Sequence, residues 1–373
     1  MHDRLIKSSS GKMTAVAAPT RDVCVVMPTI SWTGSFEPCA RRVLELIEGS
    51  ECDAELVVVL DGEAMPPPDW LVRPDVQVVS TGVRSGPAVA RNRASASSRS
   101  EVLFFVDADV ELADGAIDLV HRRFKDNEEL DALFGAYDDE PLAPSTVSQF
   151  RNLLHHHVHM LHPGRATTFW SGCGAIRTAY FRTVGGFDGR YAKPSIEDIE
   201  LGVRMTSLGG RIELDPTLQC KHHKCWTMRS MIHTDVACRA IPWTRLMMRK
   251  RHVPACLAID HRNRASGFLS LAAVTGIVPA IFFPWLWLAV ASCLAGVFLL
   301  NNRFYRLCRR KRGLLFSASA FALHVLFFVY STLTFAGVVL HSMVARVDGE
   351  ADGSPNIAEL PPAAPVAERV RSM

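Results

Sequence analysis

The sequence predicts an α/β head built on a doubly wound sheet of parallel strands, followed by C-terminal transmembrane helices. Three observations carry that expectation. Short apolar runs alternate with helically spaced segments over the first hundred residues, the pattern of βαβ units. The fourth run ends in Asp107-Ala108-Asp109, and two stretches near the C-terminus, 267–300 and 314–344, carry no Asp, Glu, Lys or Arg. Each stretch exceeds the ~20 residues needed to cross a bilayer core.

The elements follow in order. Val23 to Met27 reads as a strand buried on both faces and ending at Pro28-Thr29. Cys39 to Ile47 has helical spacing; Glu55 to Leu60 is a second strand, ending at Asp61-Gly62; Val76 to Val79 is a third. Pro87 to Ala96 is a helix, and Val102 to Val106 is the fourth strand. Open α/β sheets bind ligands beyond the carboxyl ends of their strands, which points to Thr29, Asp61, Asp107 and Asp109. Two carboxylates at i and i+2 project to one side and suit an oxygen-loving divalent cation holding a diphosphate. An ordinary strand-ending turn is the plainer alternative.

Ser85-Gly86-Pro87 opens a helix carrying Arg91, Asn92 and Arg93 in its first turns. Free backbone N–H groups and arginine charge suit phosphate there, although small residues before a helix also serve simple capping. Asn152 to His162 is a histidine-rich helix in which His155 and His159 share a face. The neighbouring His156 and His157 point elsewhere, which favours a solvated or membrane-proximal helix over a metal site. Trp170 to Ala175 reads as a small-residue loop, Gly185-Gly186-Phe187-Asp188 as a turn, and Ile196 as the start of a helix reaching Gly209-Gly210. Glu197 and Asp198 in its first turn complement the helix dipole, which also keeps Asp198 ionised, as a general base requires.

Composition narrows the function classes. A net charge of +3 is too small for a nucleic-acid partner. Ten scattered cysteines with no CxxC fit a reducing compartment. Cys220, His222, His223 and Cys225 crowd too closely for an easy four-ligand zinc site. The first twenty residues lack a long apolar core, so the head is expected in the cytoplasm, beneath the inner cell membrane. Basic residues gather at 245–264 and 303–312, and the positive-inside rule places both clusters cytoplasmic. Residues 267–300, with Pro279 and Pro284 near their middle, are then expected to form a hairpin of two short spans, the alternative being a single tilted span that would strand six positive charges outside. The expected organisation is a disordered N-terminus at 1–20, a catalytic head at 21–232 and an interfacial amphipathic segment at 233–265. A membrane region at 266–345 follows, with the hairpin 267–300 and a last span 314–344, and then a disordered tail at 346–373.

In order, Pro28-Thr29, Asp61-Gly62, Gly86-Pro87 with Arg91-Asn92, Asp107-Ala108-Asp109, Gly172 to Ala175, Gly185-Gly186-Phe187-Asp188 and Glu197-Asp198 resemble the family 2 glycosyltransferases over about 200 residues. The resemblance implies a Rossmann-like glycosyltransferase A fold with a nucleotide-binding half and an acceptor-binding half. It also implies a Mn²⁺ or Mg²⁺ cofactor, a nucleotide-sugar donor, most simply a UDP-sugar, and a lipid or lipid-linked acceptor. By the same resemblance, Pro28 and Thr29 line the base and Asp61 contacts uracil or ribose. Gly86 and Arg91 belong to the donor site, Asp107 faces the nucleotide, and Asp109 coordinates the metal. Asp198 is the catalytic base of an inverting displacement. His222 is a second metal ligand, with the adjacent His223 as its competitor. Arg239, in Arg239-Ala240-Ile241-Pro242-Trp243, reaches toward the diphosphate. That string stands where processive relatives carry Gln-x-x-Arg-Trp, so a single transfer per encounter is expected. A nucleotidyltransferase of similar fold and a non-catalytic membrane scaffold are the competing readings. The first lacks its glycine-rich loop, since Pro28-Thr29-Ile30-Ser31-Trp32 follows the first strand, and the second has no use for the carboxylates.

Overall fold

A computed structural model of the chain describes residues 5–7, 13–15, 21–249 and 261–347. Within the first twenty residues, where no structure is expected, β1 (Leu5–Lys7) and β2 (Met13–Ala15) pair antiparallel. The head proper is a nine-stranded mixed sheet. Its first half is β3 (Val23–Thr29), α1 (Phe36–Glu48), β4 (Ala54–Leu60), β5 (Val76–Ser80), α2 (Pro87–Ser97) and β6 (Val102–Val106). These strands lie parallel in the order β5-β4-β3-β6, the arrangement expected from their apolar runs.

Alternation along each strand splits the core in two. Val23, Val25, Met27, Phe104 and Val106 pack on one face with Phe36, Cys39 and Val43 of α1. Cys24, Val26, Leu103 and Phe105 pack on the other with Ala88, Ala90 and Ala94 of α2. Strands buried on both faces therefore need continuous apolar sequence, and they have it.

Past β6 the parallel expectation gives way. The remaining head elements are β7 (Val110–Leu112), α3 (Ala116–Asp126), β8 (Ala132–Tyr137), α4 (Thr146–Leu161), β9 (Gly164–Ala166), β10 (Cys173–Arg177), α5 (Thr178–Thr183), α6 (Glu197–Ser207) and β11 (Ile212–His222). β10 inserts antiparallel between β6 and β8, although Cys173 to Ala175 read as loop; its small residues carry no strand signature. β11 runs parallel to β8, with β9 and β7 antiparallel along its other edge. Pro216 interrupts β11 where its register against β8 shifts between Leu214 and Gln219, a bulge that reads as a break in sequence.

The chain continues through α7 (Met228–His233), a π-helix (Thr234–Ala240) and α8 (Ile241–Arg249), so the boundary expected at 232 falls inside α7. Residues 250–260, part of the expected interfacial segment, and 348–373, nearly all of the expected tail, lie outside the described residues. α9 (His261–Phe282) and α10 (Leu286–Leu300) fold back on each other about Phe283-Pro284-Trp285, as the prolines predict. α11 (Asn302–Val347) kinks at Gly313, which separates its basic start from its apolar remainder. α9 and α11 are long and apolar enough to cross a membrane, and α10 is a shorter apolar helix. The basic start of α11 docks on the head: Phe304, Tyr305, Leu307 and Cys308 pack with Phe150, Leu153 and Trp226.

Candidate active site

The carboxyl ends of β3, β4 and β6 bring three expected positions to one sheet edge. Thr29, at the end of β3, donates its hydroxyl to the Ser31 carbonyl at 2.7 Å and is buried beside half-buried Pro28. Asp61 follows β4. Its Oδ1 accepts from Ser85 N at 2.8 Å and from the Thr81 hydroxyl at 3.2 Å, and its Oδ2 accepts from Gly86 N at 3.0 Å. A carboxylate has about four acceptor positions, so this one keeps about one, on Oδ2. Asp61 thus shapes the loop that opens α2. Gly86 sits in that loop at φ 90°, and an added Cβ would meet the Ala192 carbonyl oxygen at 2.4 Å. Only glycine fits there.

Arg91, buried on α2, ties the two acidic motifs together. One guanidinium nitrogen donates to Asp107 Oδ1 at 2.6 Å and another to Glu197 Oε1 at 3.1 Å. A sequence reading of Arg91 as a phosphate ligand therefore acquires a structural duty. Asn92 beside it brackets Phe187, donating to its carbonyl at 2.7 Å and accepting from its N–H at 2.9 Å, which anchors the Gly185-Gly186-Phe187-Asp188 turn.

Asp198 opens α6. Its carboxylate accepts from Ser171 N at 3.2 Å and from Ile199 N at 2.8 Å. The neighbouring Gly172 carbonyl accepts from Asp107 N at 3.2 Å, so one short loop links the carboxylate motif of β6 to the acids of α6. Helix and loop approach closely because residue 202 is glycine: a Cβ there would meet Phe169 N at 2.2 Å. Burial, then the charge of Glu197, push the Asp198 carboxyl up to about 7 against the pull of Arg91 and the two N–H donors. A carboxylate at that value is poised to exchange a proton near neutral pH.

Asp109 lies just before β7, and β7 pairs with the end of β11, register Val110↔His222. This pairing sets His222 Nε2 3.5 Å from Asp109 Oδ2. Successive strand residues point oppositely, so His223 turns instead to Glu111, at 2.6 Å. Burial pushes the Asp109 carboxyl up, but His222 and Lys224 outweigh it and hold the group below the usual carboxylate range. The His222 ring stacks on Tyr137, centroids 4.6 Å apart, and its Nδ1 meets Asn152 Oδ1 at 3.0 Å. An amide oxygen only accepts, so Nδ1 donates to Asn152 and Nε2 is the ring nitrogen that faces Asp109. The oxygen and nitrogen donors of this pair are of types that a divalent cation accepts.

Asn152, Tyr137 and Ser171 escaped the sequence reading because their roles arise from contacts across the fold. The histidine helix is corrected too. α4 is not a solvated helix: His156 Nδ1 meets the Tyr137 carbonyl at 2.7 Å and His159 Nδ1 meets the Gly135 carbonyl at 3.0 Å. Burial pushes His159 down to about 4, so it is neutral and donates to that carbonyl. Arg239, on the π-helix, lies 3.6 Å from the buried Asp235, which also accepts from Arg151 at 2.5 Å and from the Tyr330 hydroxyl at 2.6 Å.

Residues 24–185 match the model of glycosyl transferase family 2. Among solved structures, the chain is similar to the mannosyltransferase PcManGT from Pyrobaculum calidifontis in complex with GDP-Man and Mn2+. The identity is 17% and the TM-score 0.48, over 89% of this chain and 90% of that one. It is also similar to GalNAc-T7 with UDP, GalNAc and Mn2+, at 16% identity and a TM-score of 0.42, over 56% of this chain and 44% of that one. No curated protein matches the chain.

Proposed function

We propose that this chain, which carries a glycosyl transferase family 2 domain over residues 24–185, is a membrane-bound, inverting, non-processive glycosyltransferase. It moves one sugar from a nucleotide-sugar donor to a lipid or lipid-linked acceptor and depends on Mn²⁺ or Mg²⁺. The observation that carries this reading is the convergence of the Asp109–His222 pair and Asp198 around one sheet edge, joined through Arg91 and the Ser171-Gly172 loop.

Asp109 and His222 would hold a divalent cation, which would supply positive charge against the departing diphosphate. Asn152 occupies His222 Nδ1 and so leaves Nε2 for that ion. Pro28, Thr29 and the free acceptor position of Asp61 receive the nucleoside, with Gly86 opening α2 beside it. Asp107 faces the nucleotide while held by Arg91. Asp198 takes the proton of the acceptor hydroxyl as that oxygen attacks the anomeric carbon, and its raised value makes it the stronger base for that step. Arg239, beside Asp235, reaches toward the diphosphate of the donor. The absence of Gln-x-x-Arg-Trp supports release after one transfer.

The apolar α9 and α11 and the basic clusters flanking them support a multi-pass protein of the inner membrane with a cytoplasmic head. The test is transfer itself. Detergent-purified protein, given labelled UDP- and GDP-sugars, Mn²⁺ and a membrane lipid extract, should move label into the organic phase from one donor, with inverted anomeric configuration. Asp198→Asn should abolish it. Transfer with retained configuration would remove the base role, and donor hydrolysis without lipid labelling would remove the acceptor class.

A further inference from the structure

At the opposite end of the sheet, before β3 and β4 begin, three ligand-type side chains from separate segments converge. Asp22 precedes β3, Cys52 lies in the turn between α1 and β4, and His121 is on α3. One ligand atom from each lies within 4.8 Å of the others. We propose that Asp22, Cys52 and His121 form a zinc site of three protein ligands with the fourth tetrahedral position open to solvent, separate from the catalytic cation and independent of the proposed activity.

The surrounding contacts hold these groups in place. Asp118, one turn before His121 on α3, accepts from the Ser50 hydroxyl at 2.6 Å and from Glu51 N at 3.0 Å. The Ser50 hydroxyl in turn accepts from Cys52 N at 3.3 Å, and Asp22 Oδ2 accepts from Asp53 N at 2.9 Å. The cysteine-bearing turn is therefore clamped from both sides. The His121 ring has no hydrogen bond or ion pair with another of the described residues, so nothing competes for its nitrogens. Tetrahedral zinc, with bonds of about 2.3 Å to sulfur and about 2.0–2.1 Å to nitrogen or oxygen, needs ligand atoms roughly 3.3–3.8 Å apart. Thiolate, imidazole and carboxylate together select zinc over the harder Mn²⁺ and Mg²⁺ expected at Asp109. On binding, a sulfur–zinc bond forms, the thiol proton passes to solvent, and no electron is transferred. A bound ion would then join α1, α3 and the starts of β3 and β4.

The experiment uses the full-length, detergent-purified protein in the Asp109→Ala background, which removes the other cation site. After stripping with chelator and dialysis against zinc, elemental analysis should find one equivalent bound, and Co²⁺ should give a thiolate charge-transfer band. Cys52→Ser should lose the band, and His121→Ala should lose the stoichiometric zinc. Zinc should raise the thermal midpoint of the parent but not of either variant. Absence of the Co²⁺ band from the parent would overturn the proposal, as would one equivalent of zinc retained in both variants. In the otherwise native chain, Cys52→Ser should leave Mn²⁺-dependent sugar transfer in place, so failure of the zinc site and failure of the transferase reading are distinguishable.

Discussion

Asp198 owes its character to its neighbours. Burial and Glu197 raise it, while Arg91 and two backbone N–H groups restrain it. The reactive form is the ionised one, so kcat/KM should rise with pH through about 7 and level off above. Glu197→Gln removes a negative neighbour and leaves Arg91 in place, so the limb should move to lower pH; an unmoved limb would assign it to another group. Arg91→Met strands Glu197 in the interior, and breaking such a buried pair costs about 3–5 kcal/mol, which a thermal melt would register as a clear drop. At this level the sequence was informative for Asp107, Asp109 and Asp198, because strand ends and helix starts are local features. It was ambiguous for His222 against His223, since only the pairing of β7 with β11 decides which ring faces Asp109. Asp61 shows the converse. Its place was legible, but its work on the Ser85-Gly86 loop was not, because those N–H groups lie more than twenty residues away.

α4 is the element on which the proposed metal side of the site rests. From one helix, Asn152 orients His222, while His156 and His159 satisfy carbonyls of β8 near the point where its pairing with β10 ends. His159→Leu leaves the Gly135 carbonyl unpaired in the interior, at a cost of about 1–3 kcal/mol, measurable as a lowered melting temperature. Asn152→Leu should lower the affinity for Mn²⁺ about tenfold or more, as loss of a partner behind a metal ligand does, with little change in metal-free nucleotide binding. Equal Mn²⁺ affinity in that variant would show that His222 does not ligate. Three of the four parallel strands, β3, β4 and β6, were legible because burial on both faces demands apolar runs; the edge strand β5 is only partly buried and carries Gln77. β10 and β11 were not, because one is built of small residues and the other is bent at Pro216; both are strands by virtue of their neighbours.

The molecule joins a soluble head to apolar helices through polar contacts as well as packing. Tyr330, within the apolar part of α11, donates to Asp235, which also holds Arg151 of α4. Arg312 reaches Gln149 at 2.7 Å, and Lys311 pairs with Asp139 at 2.7 Å. In the proposed topology, the basic clusters on both sides of the α9–α10 pair keep the two ends of that pair on one face of the bilayer. Cysteine-accessibility labelling in intact cells should therefore find the Phe283-Pro284-Trp285 turn and a cysteine added at the C-terminus on the outer side, and the head protected; labelling of the head from outside would invert the topology. Calorimetric titration of the purified protein with UDP and GDP, with and without Mn²⁺, tests the proposed donor site. One nucleotide, UDP first, should bind tightly and only with Mn²⁺, and Asp109→Ala should lose that dependence. Binding that is indifferent to both the metal and the substitution would contradict it.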